Sequence, residues 1–265
     1  WGAVIRCPNM PPKQTACGSR LGEGRPGGMV RARLAQTFAM TQTLKIDFIS
    51  DVVCPWCVIG LGALNQALAS VGDLVRADIH FQPFELNPDM PAEGEDIAEH
   101  VAQKYGATPE QSAANREIIR ARAAEVGFTM APRSKGRIYN TFDAHRLLHW
   151  AELEGRQAAL KTALFTAYFT DAKAVSDRAV LVAAAQAAGL DAEATREVLE
   201  TGAYADVVRE VEAFWRRNGV NAVPTLVFND RYMITGGQPA HAFEKAIRSM
   251  AAEMAATGVP DLAAG

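Results

Sequence analysis

At 265 residues with 49% hydrophobic and 22% charged content, the chain can bury one large core or two modest ones and has the composition of a soluble globular protein. Its formal net charge is −3 and no block concentrates basic residues, which excludes nucleic acid and anionic membrane as electrostatic partners. No apolar run approaches the ~18 residues of a membrane span, so none is expected, and four cysteines are too few for a disulfide scaffold at this size.

Residues 1–40 are rich in Gly, Pro and Arg, lack hydrophobic periodicity, begin without methionine and carry Cys7 and Cys17 in no motif. They are expected to be a disordered leader or upstream sequence, with Met29 and Met40 as candidate starts. The segment has arginines but no apolar run ending in a small-residue cleavage site, so the expected location is the cytoplasm.

Leu44 to Ile49 mixes apolar and polar residues in near alternation, the pattern of a first core strand, and Ser50-Asp51 supplies the turn behind it. From Cys57 to Ser70 the period changes to that of a helix, with Val58, Ile59, Leu61, Leu64, Leu68 and Val71 largely on one stripe and Gly72 as the stop. Val75 to Phe81 alternates again. Two strands flanking a helix predict a parallel βαβ unit. Three prolines between Pro83 and Pro91 then end regular structure.

The pattern from there to Asn218 is almost wholly helical. Thr108-Pro109-Glu110-Gln111 combines an N-cap, a first-turn proline and a capping-box glutamine; Asn140-Thr141 opens another helix; further helices are expected over Arg156–Phe169, Ser176–Ala188, Asp191–Leu199 and Tyr204–Asn218. Pro224 to Phe228 returns to strand character, Asn229-Asp230 signals a turn, Arg231 to Thr235 reads as the return strand, and Pro239 to Ala256 gives a last amphipathic helix.

Between the first strand and first helix stands Cys54-Pro55-Trp56-Cys57. A thiol at the first turn of a helix faces unpaired backbone N–H groups and the positive end of the helix dipole, both of which favour a thiolate. The thiolate is the species that attacks disulfides, so Cys54 is assigned as nucleophile and Cys57, one turn further in, as resolving thiol. Structural zinc would require four ligands, and no second Cys-x-x-Cys or finger-like His pair is present, so no metal is expected. Pro55 and Trp56 shape the loop between the thiols and are candidate substrate contacts.

Asp47 on the first strand is a candidate buried acid that exchanges protons with Cys57, and equally an outward-facing strand residue, because alternation alone does not fix its side. At Val223-Pro224 a proline enters a strand. A trans bond is the ordinary form there; a cis bond would present the Val223 backbone to an extended substrate chain beside the thiols. His145 and His149 have the four-residue spacing of a two-His metal face, but Leu147, Leu148 and Trp150 around them point to packing. Arg133, Lys135 and Arg137 form a basic loop whose functional reading is a carboxylate site, for instance for glutathione, and whose simpler reading is a solvated loop.

Ser50 to Cys57, Phe84-Glu85-Leu86-Asn87-Pro88, Asn140-Thr141 with Ala144-His145-Arg146, and Val223-Pro224-Thr225 with Gly236-Gly237-Gln238-Pro239 occur in that order. Together they resemble the DsbA family of thiol-disulfide oxidoreductases, in its FrnE-like branch, over Leu44 to about Ala256. The resemblance implies an α/β, thioredoxin-like fold, residues 41–92 and 203–258, interrupted by an all-helical domain, residues 93–202. It implies Cys54 as attacking thiol, Cys57 as resolving thiol, and Pro224 as a cis-proline facing them, with Val223 beside it. Expected partners are protein or peptide thiols and disulfides. No cofactor is expected beyond the redox-active pair, with glutathione as possible reductant or co-substrate. Hydroxychromene-carboxylate isomerases and kappa-class glutathione transferases share the architecture with serine at the position of Cys54, which makes a glutathione-dependent isomerase or transferase the alternative.

Overall fold

Alternation in the first strand sends its side chains to two different cores. The computed structural model describes residues 5–6, 41–132 and 136–257. In it β2 (Gln42–Ser50) is an interior strand of a five-stranded sheet, preceded in the chain by a two-residue strand β1 (Ile5–Arg6). Leu44, Ile46 and Phe48 enter the main apolar cluster, whereas Ile49, of opposite parity, packs with Phe84, Trp215, Val220 and Val227 in a smaller cluster on the other face. Phe48 is fully buried and meets Phe81 edge-on at 5.7 Å; truncating such a side chain to alanine costs about 3–5 kcal/mol.

Helix α1 (Pro55–Val71) follows β2, and β3 (Val75–Pro83) pairs parallel with β2 over its whole length, from Gln42–Val75 to Ser50–Pro83. The predicted βαβ unit is therefore present. Gly72 ends α1 at φ 56°, its N–H donating to the Leu68 carbonyl. By length and composition alone, Pro55–Leu74 would also pass for a membrane-crossing helix, which the sequence reading did not anticipate. It is instead the core helix, with Cys57, Val58, Ala63, Leu64, Ala67 and Val71 buried.

On the other side of β2 stand β6 (Thr225–Phe228) and β7 (Tyr232–Thr235), giving the order β1-β7-β6-β2-β3. β6 runs antiparallel to β2, and β7 antiparallel to β6. Asn229 and Asp230 take φ of 48° and 54° in the hairpin, a conformation that short Asn and Asp side chains tolerate. Phe228 pairs with Tyr232, so the loop holds three residues and the return strand starts one residue later than expected. Helix α9 (Ala240–Thr257) is the last described element and supplies Phe243, Ile247 and Met250 to the core shared with α1.

The predicted helical insert is also present. It contains α2 (Ile97–Tyr105), α3 (Pro109–Glu125), α4 (Phe142–Leu153), α5 (Gln157–Phe165), α6 (Arg178–Ala187) and α7 (Ala192–Thr201), and α8 (Ala205–Arg217) leads back to the sheet. A small ribbon of β4 (Glu95–Asp96) and β5 (Arg137–Ile138) was not expected; two-residue strands carry no periodicity to read. The helix predicted over Arg156–Phe169 continues past α5 as a π-helical turn, Thr166–Thr170. The capping box of Thr108 and Gln111 is formed as predicted.

Insert and sheet share one continuous apolar cluster, in which Leu147, Leu160 and Phe165 join Phe48, Phe81 and Leu64. The join is sealed at the open edge of β3, where Gln157 of α5 accepts from the Phe81 N–H at 2.8 Å and donates to its carbonyl at 2.9 Å, so a side-chain amide takes the place of a neighbouring strand. Of the leader, Ile5 and Arg6 pair with Met233 and Tyr232 as an edge strand, unlike the expected disorder. The rest of that expectation, with Cys7 and Cys17, lies outside the described residues.

Candidate active site

The loop from β2 to α1 is a turn in which the Cys54 N–H donates to the Asp51 carbonyl at 3.3 Å. Cys54 is the N-cap of α1, with extended backbone at φ −88° and ψ 114°, and Pro55 follows in the first turn, where its missing N–H costs nothing. The Cys57 N–H donates to the Cys54 carbonyl at 3.1 Å, which carries the second thiol one turn inward. Both thiols are free and buried, Cys54 at 4% exposure and Cys57 at 0%. Burial pushes the Cys57 thiol well up from its ordinary value, and its bond to the Cys54 sulfur pushes it further.

Cys54 also meets the far end of the chain. Its thiol donates to the carbonyl of Val223 at 3.7 Å, and the Val223–Pro224 peptide is cis, the form implied by the resemblance rather than the ordinary trans form. Pro224 is buried against Gly60 of α1; Pro55 and Val223 are half-buried, and Trp56 is 38% exposed, with its backbone carbonyl close to Gly237. Thus the structure brings Cys54, Cys57, Pro55, Trp56, Val223 and Pro224 together: a buried sulfur under a rim of Pro55, Trp56 and the Val223 backbone.

Asp47 is not in this group. It is buried, but it shares its side of the sheet with Ile49, whereas Cys57 belongs to the cluster on the opposite side. Its carboxylate accepts from the Gln82 amide at 2.6 Å and pairs with Lys45 at 3.0 Å. Those two partners account for its burial without the thiols.

The acid that does stand beside the thiols is Asp51, 1% exposed. Its side chain accepts from the Leu86 N–H at 2.8 Å and, weakly, from the Val53 N–H at 3.5 Å, and the His145 ring is 3.6 Å away. Burial pushes Asp51 up, but bonding to His145, the Leu86 N–H and Thr141 outweighs it and holds the carboxyl below its ordinary value. His145 thus stands against Asp51, while the ring of His149 lies 5.2 Å from that of Tyr204. Arg137 of the basic loop donates to the carbonyls of Glu93 and Gly94; Arg133 and Lys135 lie outside the described residues.

Lys161 of α5 completes the surroundings. It is fully buried, and its charge interacts with Cys57, Asp51 and Cys54. Sequence reasoning passed over both Asp51, read only as a turn residue, and Lys161. A signal existed for the lysine: Gln157, Leu160, Lys161, Leu164 and Phe165 share one helical stripe, which places a cation at a core position.

A dithiol at a strand-to-helix junction, faced by a cis-proline loop from the second half of the same sheet, can exchange disulfides. Known proteins share this fold. The chain is 34% identical to a probable DsbA oxidoreductase from Streptomyces coelicolor, with a TM-score of 0.73 over 79% of this chain and 90% of that one. It is 27% identical to the YwbO protein of Bacillus subtilis (strain 168) over 77% of this chain and 96% of that protein. A 2-hydroxychromene-2-carboxylate isomerase structure shares the fold at 16% identity and a TM-score of 0.58, over 80% of this chain and 98% of that one. The DSBA-like thioredoxin domain family matches residues 45–248, which take in both thiols, the helical insert and the cis-proline loop, and the chain belongs to that family.

Proposed function

We propose that the protein is a thiol-disulfide oxidoreductase or isomerase of the FrnE-like kind, acting on protein or peptide disulfides in the cytoplasm. Cys54 attacks one sulfur of the substrate disulfide and forms a mixed disulfide, and the other substrate sulfur leaves as a thiolate. Cys57 then attacks Cys54, closing the Cys54–Cys57 disulfide and releasing the second substrate sulfur; the reverse sequence oxidises a dithiol. The observation that carries this reading is the position of Cys54, at the N-cap of α1 and 3.7 Å from the Val223 carbonyl. An extended substrate chain laid along Val223 would bring its own disulfide to that sulfur. Trp56 gives the approach an exposed apolar face.

Reduction of insulin disulfides, or refolding of a scrambled disulfide protein, is expected from the wild type and is expected to disappear in Cys54→Ser. Undiminished turnover in that variant would overturn the reading. Glutathione is proposed as the small thiol that resets the pair. Saturable glutathione binding with turnover in Cys57→Ser would instead favour a glutathione-dependent isomerase or transferase, the chemistry that needs no resolving thiol.

A further inference from the structure

Lys161 is wholly buried, and its Nζ has no hydrogen-bond partner among the described residues. The nitrogen lies 4.9 Å from the ring centre of Phe165 and 6.0 Å from that of Phe81. Aromatic faces attract a cation, but they do not replace the hydrogen bonds that an ammonium loses on leaving water. For the fold alone, an apolar residue such as the neighbouring Leu160 or Leu164 would serve better at this position. The lysine therefore answers to something other than packing.

The two rings beside its nitrogen, Phe81 and Phe165, belong to the same continuous core cluster as Cys54 and Cys57. The groups that interact with the lysine are Cys57 and Cys54 at the start of α1 and Asp51 in the preceding loop; His145 of α4 stands on the far side of Asp51. Burial lowers the Lys161 ammonium to about 8, against the pull of Cys57, Asp51 and Cys54 in the other direction, and Lys161 in turn opposes the upward push on Cys57. Asp51 already accepts from two backbone N–H groups and stands near His145, so it is not left waiting for a cation. Cys57 is different: it is fully buried and must become an anion to attack.

We propose that Lys161 is the counter-cation of the resolving thiolate, a positive charge carried in from the helical insert that allows the buried Cys57 to ionise. The proposal rests on the exchange reading above. In the resolving step Cys57 loses its proton, its sulfur bonds to Cys54 Sγ, and the bond between Cys54 and the substrate sulfur breaks. The electron pair leaves on that substrate sulfur, which takes up one proton. Lys161 remains an ammonium throughout and acts through its field, as a positioning charge. The insert thereby becomes part of the exchange machinery.

Two-step labelling separates this role from a structural one. With Cys7 and Cys17 replaced by serine throughout, so that Cys54 and Cys57 are the only thiols, reduced protein treated with dithiobis(nitrobenzoate) releases one coloured thiol when Cys54 is capped and a second when Cys57 displaces the cap. In Lys161→Met near neutral pH, the second release is expected to slow at least tenfold while the first changes less than threefold. Lys161→Arg, which keeps the cation, is expected to recover most of the loss. In a Cys54→Ser background, the pH titration of the Cys57 Cβ chemical shift is expected to move up by a unit or more in Lys161→Met. That variant removes an unpaired buried charge, so a purely structural lysine predicts unchanged or greater stability with both releases and the titration unaltered. That result would overturn the proposal and leave the exchange reading intact; wild-type protein that gives no first release would overturn the exchange reading itself.

Discussion

Gly60 of α1 lies so close to Pro224 that a β-carbon built on it would stand 2.9 Å from the Cγ of the proline ring. A proline ring has no flexible end to move aside, so the absence of a side chain at Gly60 lets the thiol-bearing helix and the cis-proline loop touch. Gly60→Val is expected to lower stability by about 1–3 kcal/mol, the usual cost of overpacking a filled site. It should also slow capping of Cys54, because the carbonyl of Val223 moves with the loop. Urea midpoints and the rate of the first thiol release measure the two effects; a valine variant with wild-type values for both would show that the contact has room to spare.

Asp51 ties that same helix start to the insert. Its carboxylate takes the Leu86 N–H at 2.8 Å and faces His145, so Asp51→Asn exchanges a charged acceptor for a weaker one and turns a donor towards one of these groups. A loss of about 2 kcal/mol is expected near neutral pH. The carboxyl is held below its ordinary 3.8, so the stability it contributes is present above that value and lost as pH falls through the lower folded value. Denaturation of wild type and Asp51→Asn should therefore differ by a constant amount from pH 8 to pH 4 and converge only in stronger acid.

How far the site could be read in advance followed the range of the interactions. Cys54, Pro55, Trp56 and Cys57 act through a local turn and helix cap, both written in adjacent residues, and strand and helix periods around them were legible for the same reason. Pro224 lies 170 residues after Cys54, as the numbering shows, and its residue type alone favoured the wrong isomer; only the order of motifs supplied it. Asp47 shows why alternation is insufficient: it is buried, as one reading required, but on the side of β2 away from Cys57. Lys161 was hidden by its type, since lysines on helices are normally solvated. Its burial comes from α5 being pressed onto β3, where Gln157 holds the edge.

Between the sheet and α8, Glu85 is wholly buried with one oxygen lacking a hydrogen-bond partner among the described residues. Burial pushes its carboxyl up, the neighbouring Glu212 adds to the push, and Arg209, bonded to both, opposes it; the result is about 7, from an ordinary 4.5. An acid with a raised value is favoured protonated in the fold, so its contribution is present below pH 4.5 and lost as pH rises towards 7. Relative to Glu85→Gln, which cannot ionise, the wild type should lose about 2 kcal/mol between these limits, an amount reduced by the partly solvated Arg209. Paired urea titrations at pH 4.5 and 8 test this, and parallel changes in the two proteins would contradict it.

The opposite sign is expected at His80, which joins β3 to α4. Its ring is 2.8 Å from Glu152 and 3.0 Å from Asp78, and the bond to Glu152, followed in smaller measure by Asp78 and against partial burial, raises it from 6.5 to about 9. A histidine raised in the fold gives its full stability below pH 6.5 and loses it as pH rises through about 9. Because the ring and the Glu152 side chain are each 29% exposed, water screens the pair, and the contribution should be about 1 kcal/mol rather than the full value of the shift. His80→Gln is thus expected to be less stable than wild type by that amount at pH 6 and equal to it at pH 10. Since the pair holds the insert against the edge strand, amide exchange in α4 and β3 should quicken in the variant at pH 6 and match the wild type above pH 9. A variant that differs equally at both pH values would assign the stability of the join to shape alone, and not to the charge on His80.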